Sequence, residues 1–101
     1  MATSFQKYTL HYLSGGSSEA VIDLFNDGVL VGVLTFHKDD TALPGNVLQE
    51  GGVHEVHYHI RRFRDVLQIL QYEKPLHLRI SEGVANLMAA GFEPVGEQEG
   101  H

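Results

Sequence analysis

The chain of 101 residues contains no cysteine, no tryptophan and only three prolines. Without cysteine there is no disulfide framework, thiol chemistry or cysteine-ligated zinc, and an intracellular, cytoplasmic location is the expected one. No apolar run approaches the roughly 20 residues that a membrane-spanning helix requires. The N-terminus also lacks the basic region and apolar stretch of a signal peptide. We therefore expect a cytoplasmic protein with no membrane partner.

Basic residues are scarce, since seven Lys and Arg stand against thirteen Asp and Glu, for a formal net charge of −6. This balance disfavours general attraction to nucleic acid or to anionic membranes. The apolar fraction of 43% is ordinary for a globular protein. We expect a single domain over residues 1–101, with a frayed tail over about 97–101. The chain is also histidine-rich, with seven histidines that gain charge as the pH falls through roughly 6.5.

Alternation of apolar and polar residues predicts β-strands along the first half of the chain. It indicates one strand over residues 5–13, and two further apolar runs, 19–25 and 29–37, flank Asn26-Asp27-Gly28. Because Asn, Asp and Gly suit a tight turn, these two runs predict a β-hairpin. Gly32 inside the second run is typical of a bulge or of a close approach by another backbone.

The second half combines a loop, a helix and further strands. Residues 38–52 are predicted to form a long loop, because Asp-Asp, Pro-Gly-Asn and Gly-Gly sequences punctuate them. Alternation returns over residues 53–59 as a strand, and the spacing then becomes that of an amphipathic helix over about 60–73. Two more strands are predicted over residues 76–80 and 84–89, with a hairpin turn over residues 81–83 between them.

The order of these elements predicts an α+β fold, with a curved antiparallel sheet of about five to six strands and one helix packed on one face. Residues 29–34 are apolar at every position except Gly32. Such a strand is covered on both faces or lies in an oligomer contact, and one helix cannot cover it fully. We therefore expect a homodimer, since two-fold pairing is the commonest way to close such a surface.

Two short motifs resemble a group of small uncharacterised bacterial proteins. One is Glu73-Lys74-Pro75 after the predicted helix, and the other is Glu93-Pro94-Val95-Gly96-Glu97 near the end of the sequence. No activity is established for that group, so the resemblance assigns no catalytic residues to this chain. It implies that residues 85–90 belong to a strand and that the Pro94-Val95-Gly96 turn is ordered.

Two histidines of the strand predicted over residues 53–59 are candidate metal ligands. Alternation places His57 and His59 on one face together with Glu55. Two imidazoles at this spacing can share a divalent metal ion. A third ligand would come from His37, Asp39 or Asp40. The alternative is that both histidines are solvated residues on the polar face of a strand.

The second candidate site is the basic cluster Arg61, Arg62 and Arg64 at the start of the predicted helix. A cationic first turn with free backbone N–H groups is suited to a phosphate or another anion. The neighbouring Tyr58 and Phe63 could stack on nucleic-acid bases. Against this, the helix dipole disfavours cations at this end, and acidic neighbours or a protein partner could neutralise the arginines equally well.

The sequence contains no Gly-x-Ser-x-Gly elbow, no Walker sequence and no dinucleotide-binding pattern, so no catalytic residues can be nominated. The leading hypothesis is therefore a non-enzymatic interaction or scaffold module that is homodimeric and has no cofactor. Nucleic-acid or phosphate binding at Arg61, Arg62 and Arg64 is the first alternative. Binding of a divalent metal by His57 and His59 is the second.

Overall fold

Strands make up most of the fold. The computed structural model describes residues 2–89, which form eight strands and one α-helix. The strands are β1 (Thr3–Phe5), β2 (Lys7–Tyr12), β3 (Ala20–Asn26), β4 (Val29–His37), β5 (Val47–Leu48), β6 (His54–His59), β7 (Leu76–Ser81) and β8 (Val84–Ala89). One turn of 3₁₀-helix, Ile60–Arg62, leads directly into helix α1, Phe63–Tyr72. The α+β class with a single helix over about 60–73 is confirmed.

The eight strands form two sheets rather than one. The large sheet has the order β2-β3-β4-β6-β5, and the small sheet has the order β1-β7-β8. The predicted strand over residues 5–13 divides at Gln6, so that β1 pairs with β7 while β2 pairs with β3. The sheets are mostly antiparallel, as expected, but β4 and β6 are parallel because residues 38–53 carry the chain back to the end where β4 began.

Two tight turns with the same backbone conformation connect antiparallel strands. The φ angles are 50° and 82° at Asp27 and Gly28, and 52° and 78° at Glu82 and Gly83. Positive φ at both central residues defines the type I′ turn, whose second position favours glycine because glycine has no Cβ. The predicted hairpin around Asp27, the turn over residues 81–83 and the strand over 84–89 are all confirmed.

The described residues end at Ala89. The strand that the resemblance implies over residues 85–90 is therefore confirmed as far as Ala89. The Pro94-Val95-Gly96 turn and the tail over residues 97–101 lie outside the described residues. Within residues 2–89, α1 is ten residues long, and no helix has the length and apolar character needed to cross a membrane.

The core lies between the inner face of the large sheet and a second layer that consists of α1 and the small sheet. Its buried apolar residues are Phe5, Ala20, Ile22, Leu24, Leu34, Phe36, Val56, Val66, Leu70, Leu76 and Leu78. Phe36 joins the sheet to the helix, because its ring stacks on Tyr58 at 5.3 Å and meets the edge of Phe63 at 5.2 Å. Full burial of each large side chain stabilises the fold by about 1.5–3 kcal/mol.

Gly32 marks a close approach between the two sheets. A Cβ at this position would lie 3.0 Å from Cδ2 of Leu78 and 3.2 Å from Cδ1 of Leu24. The register of β3 and β4 also shifts next to Gly32, because Leu24 pairs with Gly32 and Phe25 pairs with Leu30, which leaves Val31 as an extra residue. The bulge and the close approach predicted for Gly32 are thus both present, although the approaching group is a side chain.

Candidate functional site

The outer face of the large sheet carries a cluster of polar side chains on β4 and β6. The parallel register places Thr35 opposite His57 and His37 opposite His59. Because side chains alternate between the faces, the face that lies away from the core carries Thr35 and His37 of β4 and Glu55, His57 and His59 of β6. This agrees with the predicted placement of His57 and His59 together with Glu55.

A chain of hydrogen bonds crosses this face through His57. The Nδ1 atom of His57 lies 2.9 Å from Nε2 of His37, and its Nε2 atom lies 2.8 Å from Oε2 of Glu55. An ionised carboxylate only accepts hydrogen bonds, so His57 donates from Nε2 and accepts at Nδ1, and His37 is the donor in the first contact. Gln49 donates from Nε2 to Oε1, the second carboxylate oxygen of Glu55. Glu55 therefore sets the tautomer of His57.

The pKa values of His37 and Glu55, the two end groups, are both lowered. A lowered pKa favours the neutral form of the histidine and the charged form of the carboxylate. The hydrogen bonds from His57 and then from Gln49 hold the pKa of Glu55 below its ordinary value. Burial, followed by the charges of His57 and His59, lowers the pKa of His37. The side chain of His57 between them is only 8% exposed. At neutral pH the chain of hydrogen bonds therefore connects an ionised Glu55 with a neutral His37.

Asn46 holds the backbone of β6 at this site. Its Oδ1 atom accepts a hydrogen bond from the backbone N–H of His57 at 2.8 Å, and its Nδ2 atom donates to the carbonyl of Gly83 at 3.0 Å. The short strand β5 pairs only with His54 and Glu55, so it does not reach the N–H of His57. The side chain of Asn46 takes the place of a longer strand and joins the large sheet to the β7–β8 turn.

His59 takes no part in this chain of hydrogen bonds. Its Nε2 atom lies 2.8 Å from the carbonyl oxygen of Thr41 instead. The structure therefore brings His57 together with His37 and Glu55 rather than with His59. Among residues 2–89, no group of three or more His, Asp or Glu side chains is arranged to hold a metal ion.

Asp39 and Asp40, the two aspartates that could supply a third metal ligand, lie in the turn after β4. The backbone N–H of Arg61 donates to Oδ1 of Asp39 at 3.2 Å, and the Arg61 guanidinium lies 3.9 Å from the same oxygen. Asp40 adopts a positive φ of 66° in this turn. Asp39 therefore attaches the turn after β4 to the 3₁₀ turn and supplies an acidic neighbour to one of the three arginines.

The basic cluster is divided between two elements. Arg61 and Arg62 lie in the 3₁₀ turn, and Arg64 lies in the first turn of α1. The 3₁₀ turn runs directly into α1, so the helix does not begin at the arginines with a free first turn as expected. Arg61 and Arg64 border a shallow depression of about 410 Å³, which Asp65 also lines. Acidic side chains therefore accompany the cluster.

Sequence reasoning missed three polar residues near this site. Asn46 and Gln49 lie in the predicted loop over residues 38–52, where no periodic pattern indicates the direction of a side chain. His54 lies in β6 but faces the core, where it is 1% exposed. Its Nδ1 atom lies 3.0 Å from the carbonyl of Val31, and its Nε2 atom has no hydrogen-bond partner among the described residues.

Comparison with models of known protein families, with curated proteins and with solved structures finds no match. The resemblance to small bacterial proteins therefore rests on its two motifs alone. The functional proposals below rest on the geometry of the described residues.

Proposed function

We propose that this protein is a non-enzymatic interaction module that forms a homodimer through the free edge of β2. The observation that supports the proposal is an exposed apolar row on this strand. β2 lies at one edge of the large sheet, and no strand within residues 2–89 pairs with its outer side. Leu10 is 42% and Tyr12 is 74% exposed, although both lie on the same face as the buried residues of β3.

The backbone of β2 presents a free row of hydrogen-bonding groups. The N–H of Leu13 donates to the carbonyl of Glu19 at 2.9 Å, which fixes the alternation of the β2–β3 ladder. Every second residue of an antiparallel strand bonds to its neighbour, so Tyr8, Leu10 and Tyr12 direct their N–H and C=O groups away from β3. Edge strands are commonly protected by proline, charged residues or bulges. Residues 8–12 contain no proline, Lys, Arg, Asp or Glu, and their register with β3 has no bulge.

A two-fold axis at Leu10 makes this edge self-complementary. Antiparallel pairing around that axis sets Leu10 beside its counterpart and Tyr8 beside Tyr12 of the second copy. The backbone N–H and C=O groups of all three residues point away from β3, so each residue exchanges backbone hydrogen bonds with its partner in this register. On the other face Thr9 lies beside His11 of the second copy, and no like charges meet. Two large sheets would then join into one.

The exposed row is continuous with the core of the protein. The ring of Tyr12 lies 5.5 Å from that of Phe63 in α1. The sequence pointed to residues 29–34 as the interface, but Leu34 is buried in the core and Val29 is exposed at the tip of a hairpin. We therefore propose β2 as the interface, because its exposed apolar side chains and its unpaired backbone groups lie on the same strand.

The mass of the untagged chain in solution tests the proposal. We expect sedimentation velocity to give twice the chain mass of 11.2 kDa. Leu10→Lys should reduce the mass to that of one chain, because the two-fold register would place two lysines side by side. Val84→Lys is the matched control, since Val84 is 67% exposed at the start of β8 in the other sheet. This variant should remain a dimer.

Two results would overturn the proposal. A wild-type protein that stays monomeric at every concentration studied would exclude a homodimer. A Leu10→Lys variant that keeps the dimer mass would show that the chain pairs through a different surface.

A further inference from the structure

We propose that His37 and His57 form a binding site for a divalent transition-metal ion of the nickel or copper class. The site lies on the outer face of the large sheet, whereas the apolar row of β2 belongs to the inner face. This inference therefore goes beyond the proposed dimer and does not depend on it.

The two imidazole nitrogens, which a hydrogen bond holds together in the absence of metal, are already as close as two ligands on one metal ion. Nε2 of His37 and Nδ1 of His57 are 2.9 Å apart, with the ring planes inclined by 41°. With metal–nitrogen bonds of about 2.0–2.1 Å, two nitrogens at a right angle lie about 2.9 Å apart, whereas a tetrahedral angle requires about 3.3 Å. Right angles are typical of octahedral and tetragonal ions, among which Ni²⁺ and Cu²⁺ favour imidazole.

His57 already has the outer hydrogen bond that metal-bound histidines make. A ligating histidine almost always donates its second ring N–H to a carboxylate or a carbonyl, which fixes the tautomer and strengthens the ligand. The Nε2 atom of His57 donates to Glu55 at 2.8 Å, and Gln49 holds the same carboxylate from its other oxygen. Nδ1 of His57 is therefore the unprotonated ring nitrogen, with a lone pair that an ion can take, before any ion arrives.

The position of His57 is fixed as well as its tautomer. Its side chain is 8% exposed, and Asn46 holds its backbone N–H at 2.8 Å. Little side-chain freedom is left to lose when an ion binds. His37 completes the site by moving its ring proton from Nε2 to Nδ1, so that Nε2 becomes a ligand without a change in charge. The formal net charge of −6 also favours a cation over an anion.

The proposed site has two protein ligands, and water completes the coordination sphere. No third His, Asp or Glu among the described residues converges on the pair. His59 is bonded to the Thr41 carbonyl, so we assign it no role in binding. The histidine pair thus differs from the one that the sequence suggested, because the parallel register of β4 and β6 brings His37 beside His57.

Calorimetric titration of the untagged protein with NiCl₂ at neutral pH tests the site. We expect one ion to bind per chain. His37→Gln and His57→Gln should each abolish saturable binding, and Glu55→Gln should weaken it by about 10–100-fold because the outer hydrogen bond changes. His59→Ala and His11→Ala are the matched controls, since both histidines lie on the same face of the sheet and neither belongs to the pair. Both controls should bind as the wild type does.

A spectroscopic readout separates loss of the site from loss of the fold. Ni²⁺ is paramagnetic, so the ring resonances of His37 and His57 should broaden first in an NMR titration, while the spectrum of each variant without metal reports its folding. Absence of saturable binding to the wild type would overturn the proposal. Equal affinity in folded His37→Gln, or loss of binding in His11→Ala or His59→Ala, would overturn it too.

Discussion

Leu78 of β7 packs directly against Gly32 of β4, beside the position that the Cβ of any other residue would occupy. That atom would lie 3.0 Å from Cδ2 of Leu78 and 3.2 Å from Cδ1 of Leu24. Both leucines are buried, with 1% of Leu78 and none of Leu24 exposed, so neither can turn toward solvent. The absence of a side chain at Gly32 therefore allows the two sheets to pack closely.

Gly32→Ala should lower the free energy of unfolding by about 1–3 kcal/mol, the usual cost of adding a methyl group to a filled core. Urea denaturation measures the change. Gly51→Ala is the control, because no atom lies within 4 Å of the Cβ position at Gly51. We expect this control to alter stability by no more than about 0.5 kcal/mol. A Gly32→Ala protein as stable as the wild type would show that the leucines can move aside.

Hydrogen exchange along β2 should distinguish the dimer from the monomer residue by residue. The N–H groups of Thr9 and His11 bond to β3 in either state, whereas those of Tyr8, Leu10 and Tyr12 are bonded only when a second copy adds its strand. NMR-detected exchange should therefore show protection at all five residues in the dimer. Dilution, or the Leu10→Lys substitution, should restore fast exchange at the even-numbered positions alone. Fast exchange there in a concentrated wild-type sample would exclude this interface.

Asn46→Ala should destabilise the protein by about 1–2 kcal/mol, because it removes two hydrogen bonds and leaves the N–H of His57 without its acceptor. Asn46→Asp is the matched comparison, since it keeps the acceptor for His57 and replaces the donor to Gly83 with a carboxylate oxygen. Its effect should be smaller. Thermal or urea denaturation measures both changes. Equal losses in the two variants would show that the bond to His57 contributes little.

Tyr58 should ionise at a higher pH than an ordinary tyrosine. Burial raises the pKa of Tyr58, and the positive charge of Arg62 offsets part of this effect. The unfolded chain releases this proton near a pH of about 10, before the folded chain does, so stability should fall as the pH rises through that value. Ultraviolet titration should show a step at a pH above the ordinary range of tyrosine.

Two substitutions assign this late step. Tyr58→Phe should remove it, whereas Tyr72→Phe, which replaces a tyrosine that is 75% exposed, should leave it in place. A titration of the folded protein with no step above the ordinary range would contradict the raised pKa of Tyr58.

Local signals account for the parts of the fold that could be predicted. Gly28 and Gly83 favour the type I′ turns because glycine readily adopts a positive φ, and the apolar spacing after His59 defines the helix. The division at Gln6 and the parallel pairing of β4 with β6 could not be predicted in the same way. Periodicity indicates which face a side chain takes, but not which strand lies beside it.

The candidate site shows the same limit. The alternation of side chains predicted that His57 shares a face of its strand with Glu55 and His59. That prediction requires only the sequence of the strand itself. The contact with His37 depends on the register between two strands that are separated by residues 38–53. The supporting bonds of Asn46 and Gln49 come from within that connection, where no sequence pattern indicates the direction of a side chain.

The pairing of β1 with β7 has a consequence for the order of folding. Thr3 lies opposite Leu78, so the small sheet cannot form until nearly all of the described chain has been synthesised. The β3–β4 hairpin can form much earlier, because its strands are adjacent in sequence. Its inner face, with Ile22 and Leu34, then has no cover until α1 and β7 leave the ribosome. The nascent chain therefore passes through an interval in which an apolar sheet is open to aggregation or to a chaperone.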